Sequence, residues 1–253
     1  MKRKVMTFNL RVRTRHDGEN IFDAREPRIL EVIRAESPDL IGFQEANAPI
    51  VSDLRQSLSE YTLLGCGRTK DYTGERPLLA FRTDTFELIS FESFWLSTTP
   101  NVPGSTYGMD QSNCPRVTFA ALLKHHDSET PFWFYNTHYD HQGVQSRCHS
   151  TSQLLRHISQ KAHPFVLTGD FNATPESAEI QALITCPYLP ITDASATLGG
   201  TFHGFGQYTP SKIDYIFTNL PCDPSESYVW EDVPVNGVYL SDHTPLCSFV
   251  TID

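Results

Sequence analysis

Apolar runs of strand length break off, again and again, at an acid, an amide or an imidazole. Val5–Phe8 ends at Asn9, and Leu40–Phe43 ends at Gln44-Glu45. Phe132–Tyr135 runs into Asn136-Thr137-His138-Tyr139-Asp140-His141, and Pro164–Thr168 into Gly169-Asp170-Phe171-Asn172. Asp214 lies inside Ile213–Phe217, and Ser241-Asp242-His243 precedes the last apolar stretch. Polar groups set repeatedly at the ends of buried strands point to one polar site at the rim of a sheet, where α/β proteins do chemistry.

The pattern between these motifs predicts a mixed architecture. Lys4–Asn9 reads as a strand, Pro27–Glu36 as a helix with Pro27 in its first turn, Leu40–Gln44 as a strand and Ala48–Ser59 as a helix. A strand-rich middle follows: Tyr61–Gly65, Leu78–Arg82, Phe86–Leu96, Arg116–His125 and Pro131–His138, the last two joined by a hairpin turn near Glu129-Thr130. Helical spacing recurs over Val144–Lys161 and Ser177–Ile184, on either side of a strand at Phe165–Gly169. Lys212–Phe217, Tyr228–Val233 and Leu246–Ile252 close the chain as strands. Alternating helices and strands mixed with hairpins imply an α/β fold of two packed mixed sheets with helices outside. No repeat, low-complexity segment or linker divides the chain, so residues 1–253 are expected to form a single domain. The loops 100–113 and 199–211, rich in Gly, Pro, Ser and Thr, are expected to rim the site.

Composition narrows the class of function. Hydrophobic content of 39%, charged content of 20% and a mean hydropathy of -0.33 describe a globular chain. No apolar run approaches the roughly 20 residues that cross a bilayer. The start Met1-Lys2-Arg3-Lys4 is basic, but the following residues turn polar too soon for a signal peptide, so a cytoplasmic location is expected, as is a monomer. Six scattered cysteines without a Cys-x-x-Cys pair read as reduced, space-filling thiols. The net charge of -10 lacks the basic footprint of a protein that grips duplex nucleic acid, though a local cationic pocket is compatible with it.

Glu45, Asp170, Asp214 and Asp242 supply carboxylates, Asn9 and Asn172 supply amides, and His138 and His243 supply imidazoles. Hard cations such as Mg²⁺ take oxygen ligands and need few from the protein. A metal with imidazole and carboxylate partners suits hydrolysis of a phosphate ester, the cation and a donor absorbing phosphoryl charge while an acid–base pair prepares the water. Each residue alone also has a structural reading: an Asp or Asn after a strand is often a turn former or helix cap, and Asp242-His243 fits an ordinary loop. Asp214, flanked by Ile213, Tyr215 and Ile216, calls for a polar pocket because an unpaired buried charge is costly. Residues 138–141 contain part of the His-x-His-x-Asp-His pattern of metallo-β-lactamase-like zinc hydrolases, but Asn136 stands where the first histidine belongs, which makes a poor zinc site. No Ser or Cys stands in a nucleophile elbow. His203, in Thr201-Phe202-His203-Gly204, is otherwise assigned to the surface or core.

Taken together, Phe8-Asn9-Leu10-Arg11, Gln44-Glu45, Asn136-Thr137-His138, Gly169-Asp170-Phe171-Asn172, Ile213-Asp214-Tyr215 and Ser241-Asp242-His243 resemble, in order and spacing, the endonuclease/exonuclease/phosphatase superfamily. That group includes pancreatic-type deoxyribonucleases, abasic-site endonucleases, inositol-polyphosphate 5-phosphatases, neutral sphingomyelinases and poly(A) deadenylases. Phe94-Trp95-Leu96-Ser97, Cys114-Pro115-Arg116 and Thr201-Phe202-His203-Gly204-Phe205 are similar to a little-characterised bacterial branch. The resemblance implies a four-layer α/β sandwich and an Mg²⁺- or Mn²⁺-dependent phosphoesterase. It implies that Glu45 binds the metal with Asn9 nearby and Asp242 close, and that Asp170 positions or deprotonates the attacking water. Asn172 would hold a phosphate oxygen, His138 would donate to the phosphate, and His243 would sit across the scissile bond, oriented by Asp214. Arg116 and Arg147 are candidate substrate-phosphate contacts, and Arg11 and Arg13, sharing a face with Asn9 in extended chain, would bring positive charge to the mouth. The expected substrate is a small phosphomonoester or phosphodiester, or a short single-stranded nucleic-acid end. The alternatives are a nuclease acting on DNA or RNA and a binding protein of the same fold without turnover.

Overall fold

The computed structural model describes residues 1–252. Twelve strands and four α-helices follow in the order β1 (Lys2–Asn9), α1 (Phe22–Glu36), β2 (Leu40–Ala46), α2 (Ala48–Ser57), β3 (Tyr61–Leu64), β4 (Arg76–Arg82), β5 (Phe86–Trp95), β6 (Val117–His125), β7 (Phe132–His138), α3 (Val144–Ser159), β8 (Phe165–Asp170), α4 (Ala178–Ile184), β9 (Thr192–Asp193), β10 (Asp214–Thr218), β11 (Tyr228–Val229) and β12 (Leu246–Thr251). They form two six-stranded sheets, β11-β12-β1-β2-β4-β3 and β5-β6-β7-β8-β10-β9. Each sheet is antiparallel except for one parallel pair, β1–β2 in the first and β7–β8 in the second. A parallel pair needs a crossover, and α1 and α3 are those crossovers, so the two sheets repeat one plan.

Four layers result. α1 and α2 place Ile29, Val32, Ile33, Ile50 and Leu54 on the outer face of the first sheet, against Met6, Phe8, Ile41 and Phe43. α3 and α4 place Leu154, Leu155, Ile158, Ile180 and Leu183 on the outer face of the second, against Tyr135, Phe165, Leu167 and Phe217. Between the sheets lie Val5, Leu40, Leu79 and Phe81 from one and Phe119, Phe134, Val166 and Ile216 from the other. The central strands are therefore covered on both faces, which is why they read as continuous apolar runs rather than alternating ones.

One polar rivet crosses this dry interface. The Asn136 amide donates to the carbonyls of Phe43 (2.7 Å) and Leu78 (2.8 Å), while its Oδ1 accepts from Gln44 Nε2 (2.8 Å) and Thr168 Oγ1 (3.1 Å). Gly42 makes the close approach possible: a Cβ there would stand 2.0 Å from Thr168 Oγ1 and 2.7 Å from Asn136 Oδ1.

Three expectations need correcting. α1 begins at Phe22, so Pro27 lies inside the helix rather than in its first turn. The earlier start is explained by burial of Phe22 and Arg25, whose contacts hold a helix that loses one hydrogen bond at the proline. The strand expected over Tyr228–Val233 pairs only at Tyr228 and Val229, and the Lys212–Phe217 strand begins at Asp214. Among the described residues, no helix is long and apolar enough to cross a membrane.

Candidate active site

Side-chain alternation carries the site residues to one place. Val5, Thr7 and Asn9 share a face of β1; Phe134, Asn136 and His138 share one of β7; Val166, Thr168 and Asp170 share one of β8. Val5, Phe134 and Val166 belong to the inter-sheet core, so Asn9, His138 and Asp170 stand on the same inner faces at the rim. Pairing aligns them further. His138 is the register partner of Asp170 across the parallel pair, and Asp170 is the partner of Asp214 in β10. In the other sheet Asn9 pairs with Gln44.

Glu45 breaks this parity. Residues Leu40, Gly42 and Gln44 already occupy the inner face of β2, so simple alternation sends Glu45 outward. A register irregularity between Phe43 and Ala46 and a left-handed backbone at Glu45 (φ 61°) turn the carboxylate into the site instead. Bulges of this kind re-aim side chains beside active sites, and a non-glycine residue in this region costs on the order of 1 kcal/mol or more. Arg11 (φ 54°) and Asn172 (φ 49°) share the conformation and line the same cavity as Glu45.

At the centre, His243 Nδ1 donates to Asp214 Oδ2 at 2.8 Å, and its Nε2 faces Asp170 Oδ2 at 3.7 Å. His138 Nε2 approaches the same Asp170 oxygen at 3.5 Å. Burial opposes charge on His243, but Asp214, Asp170 and Asp242 together push its pKa up to about 10. Burial, then the charge of Asp214, lifts Asp170 to about 7, against smaller opposing effects of His243 and the Asn172 N–H. His138 goes the other way: burial and the positive charges of Arg116 and Arg68 hold it well below the ordinary value, so its imidazole is neutral. The cluster thus joins an imidazolium, a carboxyl poised near neutrality and a neutral imidazole.

Surrounding loops fix these groups. Thr201 Oγ1 donates to Asp214 Oδ2 at 2.6 Å and accepts from the Asp214 N–H. The N–H groups of His203 and Gly204 hold the Asp242 carbonyl at 2.9 and 3.1 Å, which gives buried His203 a supporting role rather than a surface one. Ser241 Oγ donates to the Asn9 carbonyl at 2.7 Å. Arg25, fully buried, donates to the carbonyls of Asn20, Leu10, Leu240 and Arg11, tying β1 to the segment that carries Asp242 and His243. Asn9 bridges the sheets by donating Nδ2 to Glu45 Oε1 (3.2 Å) and Asp170 Oδ2 (3.0 Å), while its Oδ1 accepts from the Arg11 N–H. It therefore orients two carboxylates through its nitrogen.

A cavity of about 390 Å³ opens over these residues, lined by Glu45, His138, Asp170, Asn172, Asp242 and His243 together with Arg11, Arg68, Arg116 and His141. Asp214 lies behind His243, outside the lining. Asn172 accounts for both ends of a turn, its N–H on Asp170 Oδ1 and its Nδ2 on the Tyr139 carbonyl. Arg116 is in the wall as expected; Arg147 is not. Its guanidinium is buried against Glu179 and donates to the Asp140 carbonyl, a brace between α3 and α4 that arises because helical periodicity turns residue 147 inward. Arg13 is likewise spent on Asp23 and Asp53, because the chain leaves extended geometry at Arg11. Of the two loops expected at the rim, 199–211 contributes Phe202 to the lining, and 100–113 braces α3, Asp110 accepting from Gln145 and Ser146 N–H groups. Arg68 carried no motif that marked it; His141 and Thr201 lay within motifs but were given no role of their own.

The sequence matches the Endonuclease/Exonuclease/phosphatase family over residues 6–243. The chain belongs to that family. An endonuclease/exonuclease/phosphatase of Bacteroides vulgatus superposes with a TM-score of 0.89 at 30% identity, all of both chains being covered. A mannosyl-6-phosphatase of Bacteroides thetaiotaomicron gives 0.84 at 27% identity, covering 98% of this chain and 99% of that one. The human Nocturnin catalytic domain shares the fold, with a TM-score of 0.75 at 20% identity over 100% of this chain and 94% of that one.

For this member of the endonuclease/exonuclease/phosphatase family, two donor sets bear on a cation. Glu45 and Asp242 are carboxylates in one cavity; burial and the charge of Glu45 raise the Asp242 pKa, while N–H groups and nearby positive charge keep Glu45 below its ordinary value. Two carboxylate oxygen donors lining one cavity, Asp242 buried and Glu45 half-buried, fit a hard divalent ion. Asp170, Asp214 and His243 also offer ligand atoms within 4.8 Å of one another, but the proton that Asp214 holds on His243 Nδ1 favours acid–base use of that trio. A zinc reading of residues 138–141 fails on Asp140, whose oxygens accept from Ser112, Gln142 and Gly143, and on Asn136, which is committed to the inter-sheet rivet.

Proposed function

We propose that this protein hydrolyses a phosphate ester by attack of water on phosphorus at the rim where the two sheets meet. The observation that carries the reading is the juxtaposition, in one cavity, of a protonated His243–Asp214 pair, a carboxyl at Asp170 with pKa near 7, and the cation-type donors Glu45 and Asp242.

Each residue has a part. Asp170, basic enough to accept a proton near neutral pH yet ionised there in substantial fraction, takes the proton of the attacking water. His243, held as imidazolium by Asp214, faces the charge that grows on the phosphoryl group. Neutral His138 donates a hydrogen bond, and Asn172 has a second amide hydrogen free beside its bond to Tyr139. A Mg²⁺ or Mn²⁺ ion on Glu45 and Asp242 would neutralise phosphoryl charge and polarise the bond under attack. Asn9, by tying Glu45 to Asp170, keeps the two sets of groups in register. Family membership and the 27% identical mannosyl-6-phosphatase support a small phosphoester as substrate, and the net charge of -10 is unfavourable to tight duplex binding.

Turnover of p-nitrophenyl phosphate, bis-p-nitrophenyl phosphate, single-stranded RNA and plasmid DNA, with Mg²⁺ or Mn²⁺ and again in EDTA, tests the reading. Hydrolysis of at least one small ester that EDTA abolishes is expected. Turnover indifferent to chelation would remove the cation from the mechanism, and no turnover of any substrate would leave a binding protein of this fold.

A further inference from the structure

Arg116 is only 4% exposed, yet its Nη1 and Nε have no hydrogen-bond partner. Its Nη2 donates to His141 Nδ1 at 3.1 Å. The nearest carboxylate, Asp140, stands 3.6 Å from Nε and already accepts from Ser112, Gln142 and Gly143. A buried guanidinium left in this state has lost its water without replacement. A buried guanidinium with unpaired N–H groups in the wall of a cavity is what a ligand oxyanion satisfies, through charge-assisted bonds of the strong kind.

Two neighbours extend the feature. Arg68 lines the same cavity, one terminal nitrogen on Glu75 at 3.0 Å, and its carbonyl accepts from the Trp95 indole at 2.7 Å, which fixes the loop that presents it. His141, exposed at the mouth, accepts at Nδ1 from Arg116, so its proton sits on Nε2 and is available to a ligand. Arg11 does not belong to the set, because Asp17 takes both its Nε and Nη2. The remaining three donors lie beside the hydrolytic groups: Arg116 immediately precedes β6, the neighbour of β7, which ends at His138.

We propose that Arg116, with Arg68 and His141, takes terminal oxygens of a dianionic phosphomonoester and so sets a preference for monoesters over diesters at this site. The inference rests on the hydrolase reading above and names its substrate class. A phosphomonoester carries close to two negative charges and three terminal oxygens near pH 7; a diester carries one charge and two such oxygens. In the reading above, His138, Asn172 and His243, with a cation held by Glu45 and Asp242, would serve two oxygens. The cations on Arg116 and Arg68 match the additional oxygen and charge that only the monoester brings, and a diester puts an uncharged alkyl oxygen against them.

The test uses the Mg²⁺-loaded full chain with p-nitrophenyl phosphate and bis-p-nitrophenyl phosphate, which share a leaving group. Wild type is expected to favour the monoester in kcat/KM, with inorganic phosphate a competitive inhibitor. Arg68→Gln and Arg116→Gln are expected to lower the monoester-to-diester ratio roughly 10–100-fold, the size of a lost charge-assisted hydrogen bond, and to weaken phosphate inhibition by a similar factor. Thermal melting identifies folded variants; if Arg116→Gln does not fold, Arg68→Gln decides. A wild-type preference for the diester, or an unchanged ratio in a folded variant, overturns the proposal. Should wild type turn over neither these esters nor single-stranded RNA or plasmid DNA, the hydrolase reading falls; whenever neither ester is turned over, phosphate titration of the melting temperature judges the anion site. Stabilisation of wild type but not of Arg68→Gln upholds it, and equal stabilisation of both overturns it.

Discussion

Asp170 and His243 come from different sheets and meet with 3.7 Å between Oδ2 and Nε2. Asp170 ends β8 of one sheet, and His243 precedes β12 of the other. Their charges depend on each other and on Asp214, which lifts both pKa values.

That coupling makes stability depend on pH in a defined direction. The folded state holds a proton on Asp170 up to about 7, against an ordinary value of 3.8. Its contribution is complete at pH below 3.8 and is lost as pH rises through 7. His243 has the same sign at higher pH: stability present below 6.5 is lost as pH rises through about 10. In cation-free buffer the melting temperature of Asp170→Asn is expected to vary less than that of wild type between pH 4 and 7. Above pH 7 it is expected to exceed wild type, by about 2–4 °C for each kcal/mol of relieved charge burial. Parallel curves for the two proteins would show that Asp170 is ionised throughout.

Removing the imidazole or its anchor should separate charge from placement. His243→Ala is expected to lower kcat on the order of 10²–10⁴. Asp214→Asn keeps the ring and a hydrogen-bond partner but removes the charge that keeps it protonated. Its rate should fall less, and the alkaline limb of its pH–rate profile should move to lower pH. An alkaline limb identical to that of wild type counts against a protonated His243.

Cation binding should depend on Glu45. Calorimetric titration with Mn²⁺ is expected to show binding to wild type and a large loss of affinity in Glu45→Ala, with the fold retained, since Glu45 is held in a left-handed conformation that Ala does not need to keep. Equal affinity in both would put the ion elsewhere, for instance on Asp170, Asp214 and His243.

The rivet between the sheets makes a prediction about stability alone. Gly42→Ala drives a methyl group into Thr168 and Asn136, and overpacking of this kind costs typically about 1–3 kcal/mol. A melting temperature within a degree of wild type would mean the sheets can part without penalty.

Much of this was legible in the sequence, and the reasons differ by residue. Asn9, His138 and Asp170 obey strict alternation with core residues on their own strands, so pattern alone brings them to one rim. Glu45 does not: the end of an apolar run marked it as a candidate carboxylate, but its place in the site depends on a bulge and a positive φ that no periodicity encodes. Arg147 misled because a surface-like residue type sat at a buried helical position, paired with Glu179. Arg25 went unseen because its partners are backbone carbonyls, and Arg68 because nothing in the pattern around it marks a cavity wall. The extent of β11 and the start of α1 were set by tertiary contacts that local propensity does not report.

Hydrolysis of p-nitrophenyl phosphate in ¹⁸O-water, by Mg²⁺-loaded wild type and Asp170→Asn, goes to the heart of the account. One ¹⁸O atom per released phosphate and none in the nitrophenol is expected from wild type, with the labelled product falling on the order of 10²-fold or more in the variant. Label in the nitrophenol, or undiminished labelled phosphate from Asp170→Asn, would contradict water attack on phosphorus assisted by this carboxylate.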